Sequence, residues 1–367
     1  MRIGIDARQL CGRTTGVGRY LLGLISEWKT SPDPRATSHQ FFLYMHEPAD
    51  STTGLDARRF ITRVVPGSGR TWWEQVQLPR AAAADHLDVF FAPQYTAPLA
   101  LRTPTVVTIH DVSFAAHPEW FRLREGARLR WLSRQSATKA RAVVTVSDFS
   151  RREIVEHFGI PDARVRVIPG GIPARHVDGA GVGKQAPRLL FVGSIFNRRH
   201  VVDLVRAFAL VAREHPSASL DLAGDNRSYP KEDVGDAIVR EDVGDRIRWH
   251  RYVSDEQLRD LYLRARAFAF LSEYEGQGLT PLEALTAGAP SVLLDTPIAR
   301  ESCGAAALYV DLGSLRAIAR AIEQILFDEP TRARLLAAAP EVLARYSWSR
   351  AGRDTLTIIE QSARPPD

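Results

Sequence analysis

SEYEGQGLTPLEALTAGAP, residues 272–290, is the stretch on which the reading of this chain turns. An apolar run, AFAFL at 267–271, precedes it, and another, SVLLD at 291–295, follows it. Between the runs the pattern predicts a glycine-containing loop and a short helix that stops at Gly288 and Pro290. Strand, loop, helix and strand form one unit of a parallel α/β sheet. Ligands of such sheets bind beyond the carboxyl ends of the strands, where loops meet helix N-termini. Glu275 in the loop and Glu283 in the first helical turn therefore stand at the ligand edge. Glu283 also has a purely structural reading. Thr280 as cap, Pro281 as the first helical residue and Glu283 as the third would make a capping box.

Working outward, the chain has 367 residues, enough for two domains, with 45% apolar and 25% charged residues. Two cysteines, Cys11 and Cys303, exclude a disulfide framework or a four-thiolate zinc site and fit a reducing compartment. The first residues lack the apolar core of a signal peptide, and no run approaches the roughly 18 apolar residues that span a bilayer. The expectation is a cytoplasmic protein, at most peripheral at the inner face of the cell membrane. Residues 1–170 carry 23 Lys+Arg against 16 Asp+Glu, or +7, and the remainder 25 against 27, or −2. A positive first half points to an anionic partner there.

In the first half, strands are expected at 2–6, 40–44, 61–65, 87–92, 105–110, 142–146 and 165–168, with helices at 17–29, 72–84 and 149–158. Gly16 and Gly18 stand where the first helix begins, so a ligand could approach free backbone N–H groups there. A flexible strand–helix connection explains the same glycines equally well. His110 and Asp111 end a buried strand at the ligand edge. Their bland reading is a structural hydrogen bond and a helix cap.

Residues 119–141 read as one helical segment. Arg122, Arg124, Arg128, Arg130, Arg134, Lys139 and Arg141 face only Glu119 and Glu125, with Trp120, Phe121, Leu123, Leu129, Trp131 and Leu132 interleaved. Such a helix suits the surface of an anionic membrane. It also suits a solvated face over a buried apolar stripe, with the aromatics in the core, and that plainer reading is preferred. Nucleic acid is not expected, because no helix-turn-helix, stacking motif or zinc knuckle accompanies the charge.

Residues 171–187, rich in Gly, Pro and Ala, read as an interdomain linker. The α/β pattern then restarts, with strands at 188–193, 220–224 and 247–250 before the opening stretch. Arg198 and Arg199 sit between the first of these strands and a helix from about 201 to 214. A helix dipole and two guanidinium forks suit a phosphate there. Further helices are expected at 256–265, 315–327, 330–345 and 349–360.

The pattern Glu275-x7-Glu283 within EGQGLTPLEAL resembles the signature of retaining glycosyltransferases of the GT-B fold, family 4. IGIDARQL…TGVGRY, WWEQVQLP, VVTIHDVSF…HPEWF, VTVSDFSRREI, VRVIPGGI, LLFVGSIFNRRH, YVSDEQLRDLY and AALYVDLGS are similar to that family in the same order. The resemblance implies two Rossmann-like domains facing across a cleft: 1–170 for the acceptor and 188–345 for a nucleotide-sugar donor, with 346–367 returning to the first. It implies hexosyl transfer with retention, no cofactor and no metal. The acceptor would be a saccharide or a lipid-linked molecule, with GDP-mannose as the first donor to try.

By the same resemblance Glu283 holds the donor ribose and Glu275 the sugar hydroxyls. Gly276, Gln277, Gly278 and Leu279 offer backbone N–H groups to sugar and phosphate. Arg198 and Arg199 bind the diphosphate. Gly193 and Val253 line the donor site, Gly16 and Gly18 form the glycine turn over it, and His110 lines the sugar pocket. The chain departs from the signature where Arg199 replaces a lysine, Gln277 an aromatic residue and Thr280 a proline. Competing readings are another GT-B enzyme, such as an epimerase, synthase or phosphorylase, and a non-catalytic sugar-nucleotide-binding or membrane-surface protein. A phosphorylase would need a pyridoxal lysine, and none of Lys29, Lys139, Lys184 and Lys231 sits in a motif that offers one.

Overall fold

Phe41 and Leu43 pack in one apolar cluster while Phe42 packs in another, so a single strand is buried on both faces. That is the environment of a parallel sheet covered by helices on either side, and it explains the near-continuous apolar strands. The computed structural model describes residues 1–12, 16–31, 33–173 and 186–364. Contacts divide the chain into two units, residues 1–171 with 346–367, and residues 172–345. Most of the expected linker, residues 174–185, lies outside the described residues.

The first unit holds seven parallel strands: β1 (Arg2–Asp6), β2 (Gln40–Met45), β3 (Phe60–Val64), β4 (Val89–Ala92), β5 (Thr105–Thr108), β6 (Ala142–Thr145) and β7 (Val165–Val167). Their order is β3-β2-β1-β4-β5-β6-β7. The sequence runs outward in both directions from β1 and β4, so the topological switch point lies between them. The helices Gly16–Thr30 and Trp348–Ala363 cover one face around Trp28, whose indole donates to the Gly352 carbonyl at 2.9 Å. Trp348 packs so closely on Gly23 and Gly171 that neither position has room for a Cβ. These contacts tie the last helix to the first unit.

Three helical expectations need correction. The helix foreseen at 330–345 is two, Glu329–Ala337 and Ala339–Leu343, because Pro340 has no N–H with which to continue the first. The helix foreseen at 72–84 opens with a wide π turn, Trp73–Gln77, before the α-helix Leu78–Ala84. Pro79 has no N–H to give to the preceding turn, and a wide turn accommodates that gap. The single helix foreseen at 119–141 is a 3₁₀ turn, Pro118–Trp120, then extended Phe121 and Arg122, then an α-helix, Leu123–Lys139. Its aromatic stripe divides as well. Leu132 is buried and Phe121 and Leu129 pack on the core, but Trp131 faces solvent.

The second unit has six parallel strands: β8 (Arg188–Val192), β9 (Ser219–Ala223), β10 (Ile247–His250), β11 (Ala267–Phe270), β12 (Ser291–Leu294) and β13 (Ala307–Val310). They lie in the order β10-β9-β8-β11-β12-β13. The switch point is between β8 and β11. β13 and the helix Pro297–Cys303 were not foreseen, because four half-buried strand residues and seven helical ones leave too short a period to recognise. No helix among the described residues is long and apolar enough to cross a membrane.

Candidate active site

The loops leaving β8 and β11 supply the side chains at the second unit's switch point. Gly193 follows β8 with φ +141°, a conformation that favours glycine, and a Cβ there would meet the guanidinium of Arg199. The 3₁₀ turn Asn197–Arg199 leads through left-handed His200 into the helix Val201–Glu214, whose N-terminus no side chain caps. Arg199 reaches across to the β11 loop. Its Nε and Nη2 lie 2.9 and 2.8 Å from Oε1 of Glu275, and Nη1 donates to the Ser194 carbonyl at 2.8 Å. The Ser272 hydroxyl donates to the same carboxylate oxygen at 2.8 Å. Phe270 lies under the guanidinium, 4.9 Å from ring centre to Cζ. Arg198 stacks on Phe196 at 4.4 Å, and its carbonyl accepts from the Glu273 N–H at 3.0 Å. The imidazole of His200 bonds the Glu273 carboxylate at 2.7 Å, a second tie between the two loops.

The helix after β11 starts earlier than its sequence implied. Gly278, at φ +75°, is the N-cap residue, and the helix runs Leu279–Thr286 with no side-chain cap bond. The expected capping box is therefore absent. Thr280 is the second helical residue and Glu283 the fifth, too far along to return to the cap. The left-handed glycine turns the chain two residues sooner than threonine could. Without a capping side chain, the N–H groups of Leu279 and Thr280 and the positive end of the helix dipole remain available to an anion. Glu283 is buried, 6% exposed. Gln277 is buried too, and its carbonyl accepts from the Ser302 hydroxyl at 2.6 Å. Val253 stands apart, beyond the end of the edge strand β10 and just before the capping box of Ser254 and Gln257. The sheet thus gathers Gly193, Arg198, Arg199, Glu275, Gly276, Gln277, Gly278, Leu279 and Glu283 at the carboxyl ends of β8 and β11, with Val253 on the flank.

The first unit's switch point carries a charged cluster that the sequence did not disclose. Asp6, at the end of β1, is fully buried, with Oδ2 2.9 Å from Nη2 of Arg8 and 3.1 Å from the donating amide of Gln94 after β4. The same nitrogen of Arg8 lies 2.7 Å from Oε1 of Glu74, which also accepts from the Thr96 hydroxyl at 2.5 Å. Burial raises the pKa of Asp6 while Arg8 pulls it down, and the balance leaves it above the ordinary aspartate value. A carboxylate closing the apolar strand RIGID was the only signal in the sequence. Glu74 and Gln94 come from distant segments.

His110 lies beyond β5. Its Nε2 is 2.9 Å from the Pro93 carbonyl, which can only accept, so Nε2 carries the proton and Nδ1 is the acceptor. Tyr20 packs edge-on against the ring at 4.9 Å. Burial lowers the His110 pKa, against the opposing pull of the Pro93 bond and Asp111, and the ring is neutral at pH 7. Asp111 accepts from the Ser113 N–H and the Tyr95 hydroxyl, both at 2.9 Å, but Val112 is the N-cap of the helix Ser113–Ala116, so Asp111 braces the turn without capping that helix. Gly16 is the first residue of its helix and Gly18 is buried inside it. Residues 13–15 of the expected glycine loop lie outside the described residues.

Two groups among the described residues have metal-ligating composition, Cys11 with His46 and Glu47, and Glu214 with His215 and Glu323. In the first, burial holds the Cys11 thiol above its ordinary pKa, and the thiol donates to the Glu47 carbonyl at 3.3 Å, which disfavours the ligating thiolate. The second lies at the far end of the helix Val201–Glu214 from Arg199.

Two family models match the chain, "Glycosyltransferase Family 4" over residues 15–176 and "Glycosyl transferases group 1" over residues 177–342. The O-antigen chain mannosyltransferase B of Escherichia coli is 28% identical over 294 residues, 76% of this chain and 76% of its own. A GDP-mannose:cellobiosyl-diphosphopolyprenol alpha-mannosyltransferase of Xanthomonas oryzae pv. oryzae is 25% identical over 87% of this chain and 82% of its own. Among solved structures, Anabaena HepE in complex with UDP and glucose superposes with a TM-score of 0.76 over 98% of this chain and 100% of its own, at 16% identity.

Proposed function

The chain belongs to glycosyltransferase family 4, of the GT-B type, and from that premise we propose that it moves a hexosyl group, with mannose from GDP-mannose as the first candidate, onto a saccharide or lipid-linked acceptor with retention and without metal. The observation that carries this reading is the Arg199–Glu275 pair at the second unit's switch point, with Arg198 beside it and an uncapped helix N-terminus after Gly278.

Glycosyl transfer breaks the bond between the anomeric carbon and a diphosphate oxygen. Negative charge grows on the leaving group and positive charge on the sugar ring. Arg198, Arg199 and the first-turn N–H groups of Leu279 and Thr280 stabilise the first. They supply the charge neutralisation that a metal would otherwise give. Glu275, fixed by Arg199 and Ser272, accepts from hydroxyls of the sugar. Glu283 accepts from the ribose. His110, through Nδ1, accepts from a sugar hydroxyl. The acceptor O–H attacks the anomeric carbon from the face the phosphate leaves, and its proton passes to the departing phosphate oxygen. Two relatives whose names specify mannosyl transfer support the donor.

The test is release of nucleoside diphosphate from GDP-mannose and other nucleotide sugars, with and without glycan and polyprenyl-linked acceptors, in EDTA, with the product anomer read by NMR. Acceptor-dependent release in EDTA with an unchanged anomer is expected. Thermal stabilisation by GDP or UDP without turnover on any acceptor would make the chain a binding protein.

A further inference from the structure

We propose that the turn Pro93–Thr96 and Tyr20 form a clamp that positions His110, and that the buried cluster of Asp6, Arg8 and Glu74 is the buttress of that turn. Each residue of the turn makes a bond that serves this end. The Pro93 carbonyl accepts from Nε2 of His110 at 2.9 Å. The ring of Tyr95 stands edge-on to the imidazole, with centroids 5.7 Å apart, and its hydroxyl donates to Asp111, the residue after His110. Gln94 and Thr96, on either side of Tyr95, are buried and bonded to the cluster. Gln94 donates to Asp6 and Thr96 to Glu74, and Arg8 joins the two carboxylates.

The turn needs that support. Tyr95 has φ +36°, in the left-handed region that residues other than glycine seldom enter. The Thr96 N–H donates to the Gln94 carbonyl across it and closes the turn tightly. A backbone so placed persists only where its surroundings hold it, and the cluster holds it on both flanks. Buried charges add little net stability, and here they fix geometry. Tyr20 meets the imidazole edge-on at 4.9 Å. Its hydroxyl faces those of Thr108, at the end of β5, and Thr355, on the last helix. The backbone of His110 is held as well, because its carbonyl accepts from the Ser150 hydroxyl at 2.9 Å. A neutral ring fixed in this way presents Nδ1 in one direction. The use of Nδ1 at a sugar rests on the function proposed above, whereas the clamp itself does not.

The experiment is nitrogen NMR of the imidazoles in the free full chain at about pH 6.5, paired with steady-state transfer. Tyr95→Gly removes the ring and suits the left-handed backbone, so the melting temperature should hold while the clamp opens. The parent should show His110 neutral with its proton on Nε2. In Tyr95→Gly water reaches the ring, so the tautomers should mix and imidazolium should appear. Transfer should then lose about tenfold in kcat, with GDP affinity unchanged. Tyr95→Phe keeps the ring edge and should restore the parent spectrum and most of the kcat. Thr96→Val breaks the bond to Glu74 and should move the spectrum in the direction of Tyr95→Gly. A Tyr95→Gly chain with the parent imidazole pattern overturns the clamp, and a Thr96→Val chain with that pattern overturns the buttress. The spectrum needs no substrate, so it decides the clamp whether or not any nucleotide sugar is turned over.

Discussion

Arg199 gives two nitrogens to one oxygen of Glu275, at 2.9 and 2.8 Å, across the strands where the second unit's sheet changes direction. The residue proposed to hold the diphosphate thereby also fixes the carboxylate proposed to read the sugar. Arg199→Ala removes a cation and releases Glu275 together. Loss of charged hydrogen bonds worth about 1.5–3 kcal/mol corresponds to a fall of roughly 10- to 150-fold in kcat/KM for the donor. Arg199→Lys keeps the charge but not the fork, and a partial loss is expected. Steady-state nucleotide release measures both. An Arg199→Ala enzyme with unaltered kcat/KM would remove Arg199 from the site.

Glu283 is buried on a helix whose N-terminus it does not cap. Glu283→Gln keeps its shape and removes its charge, so nucleoside diphosphate affinity should fall about tenfold. Calorimetric titration with GDP and UDP checks this against the melting temperature of the free protein. A lower melting point with unchanged affinity would return Glu283 to a structural role.

His110 is neutral in the folded chain because burial lowers its pKa. An unfolded imidazole titrates near the ordinary value of 6.5. The unfolded state therefore binds more protons in the window below that value. The stability that neutral His110 contributes is present above about pH 6.5 and is lost as pH falls through it toward the folded pKa. Urea denaturation at about pH 7.5 and about pH 5.5 should show a loss for the parent chain that His110→Asn diminishes. Equal losses in the two proteins would mean that His110 titrates freely.

Arg8 stands between two carboxylates in the buried cluster of the first unit. Arg8→Met leaves Asp6 and Glu74 facing each other without a cation and should cost about 3–5 kcal/mol. Asp6→Asn added to Arg8→Met removes one orphaned charge and should recover part of the loss, because the two sites are coupled. Urea midpoints of the three proteins decide it. A single Arg8→Met cost below about 1 kcal/mol would place the cluster in water.

The β-strands and the two-fold repeat of the α/β pattern were legible because buried strands read as apolar runs and surface helices as period-3.6 stripes. Glu275, Glu283, Arg198 and Arg199 were legible for a related reason. Arg198, Arg199 and Glu275 sit in the loops that leave strand ends and Glu283 in the helix that follows one of them, and parallel sheets bring strand ends to one edge. The capping box at Thr280 was misread because the sequence cannot reveal that Gly278 takes a left-handed turn and starts the helix early. The exposed Trp131 shows the same limit, since composition alone does not fix which side of a helix faces the core.

By itself the sequence determined the family, the strand and helix inventory apart from its shortest members, and the residues at the ligand edge of the second unit. These depend on local propensity and on spacing within a single segment. Tertiary structure alone decided the bond of Arg199 to Glu275 and the buried cluster of Asp6, Arg8, Glu74, Gln94 and Thr96. Seventy-six residues separate the first two and 88 separate Asp6 from Gln94. Such partners meet only through strand order, and strand order follows from how two apolar faces are covered at once rather than from any local pattern.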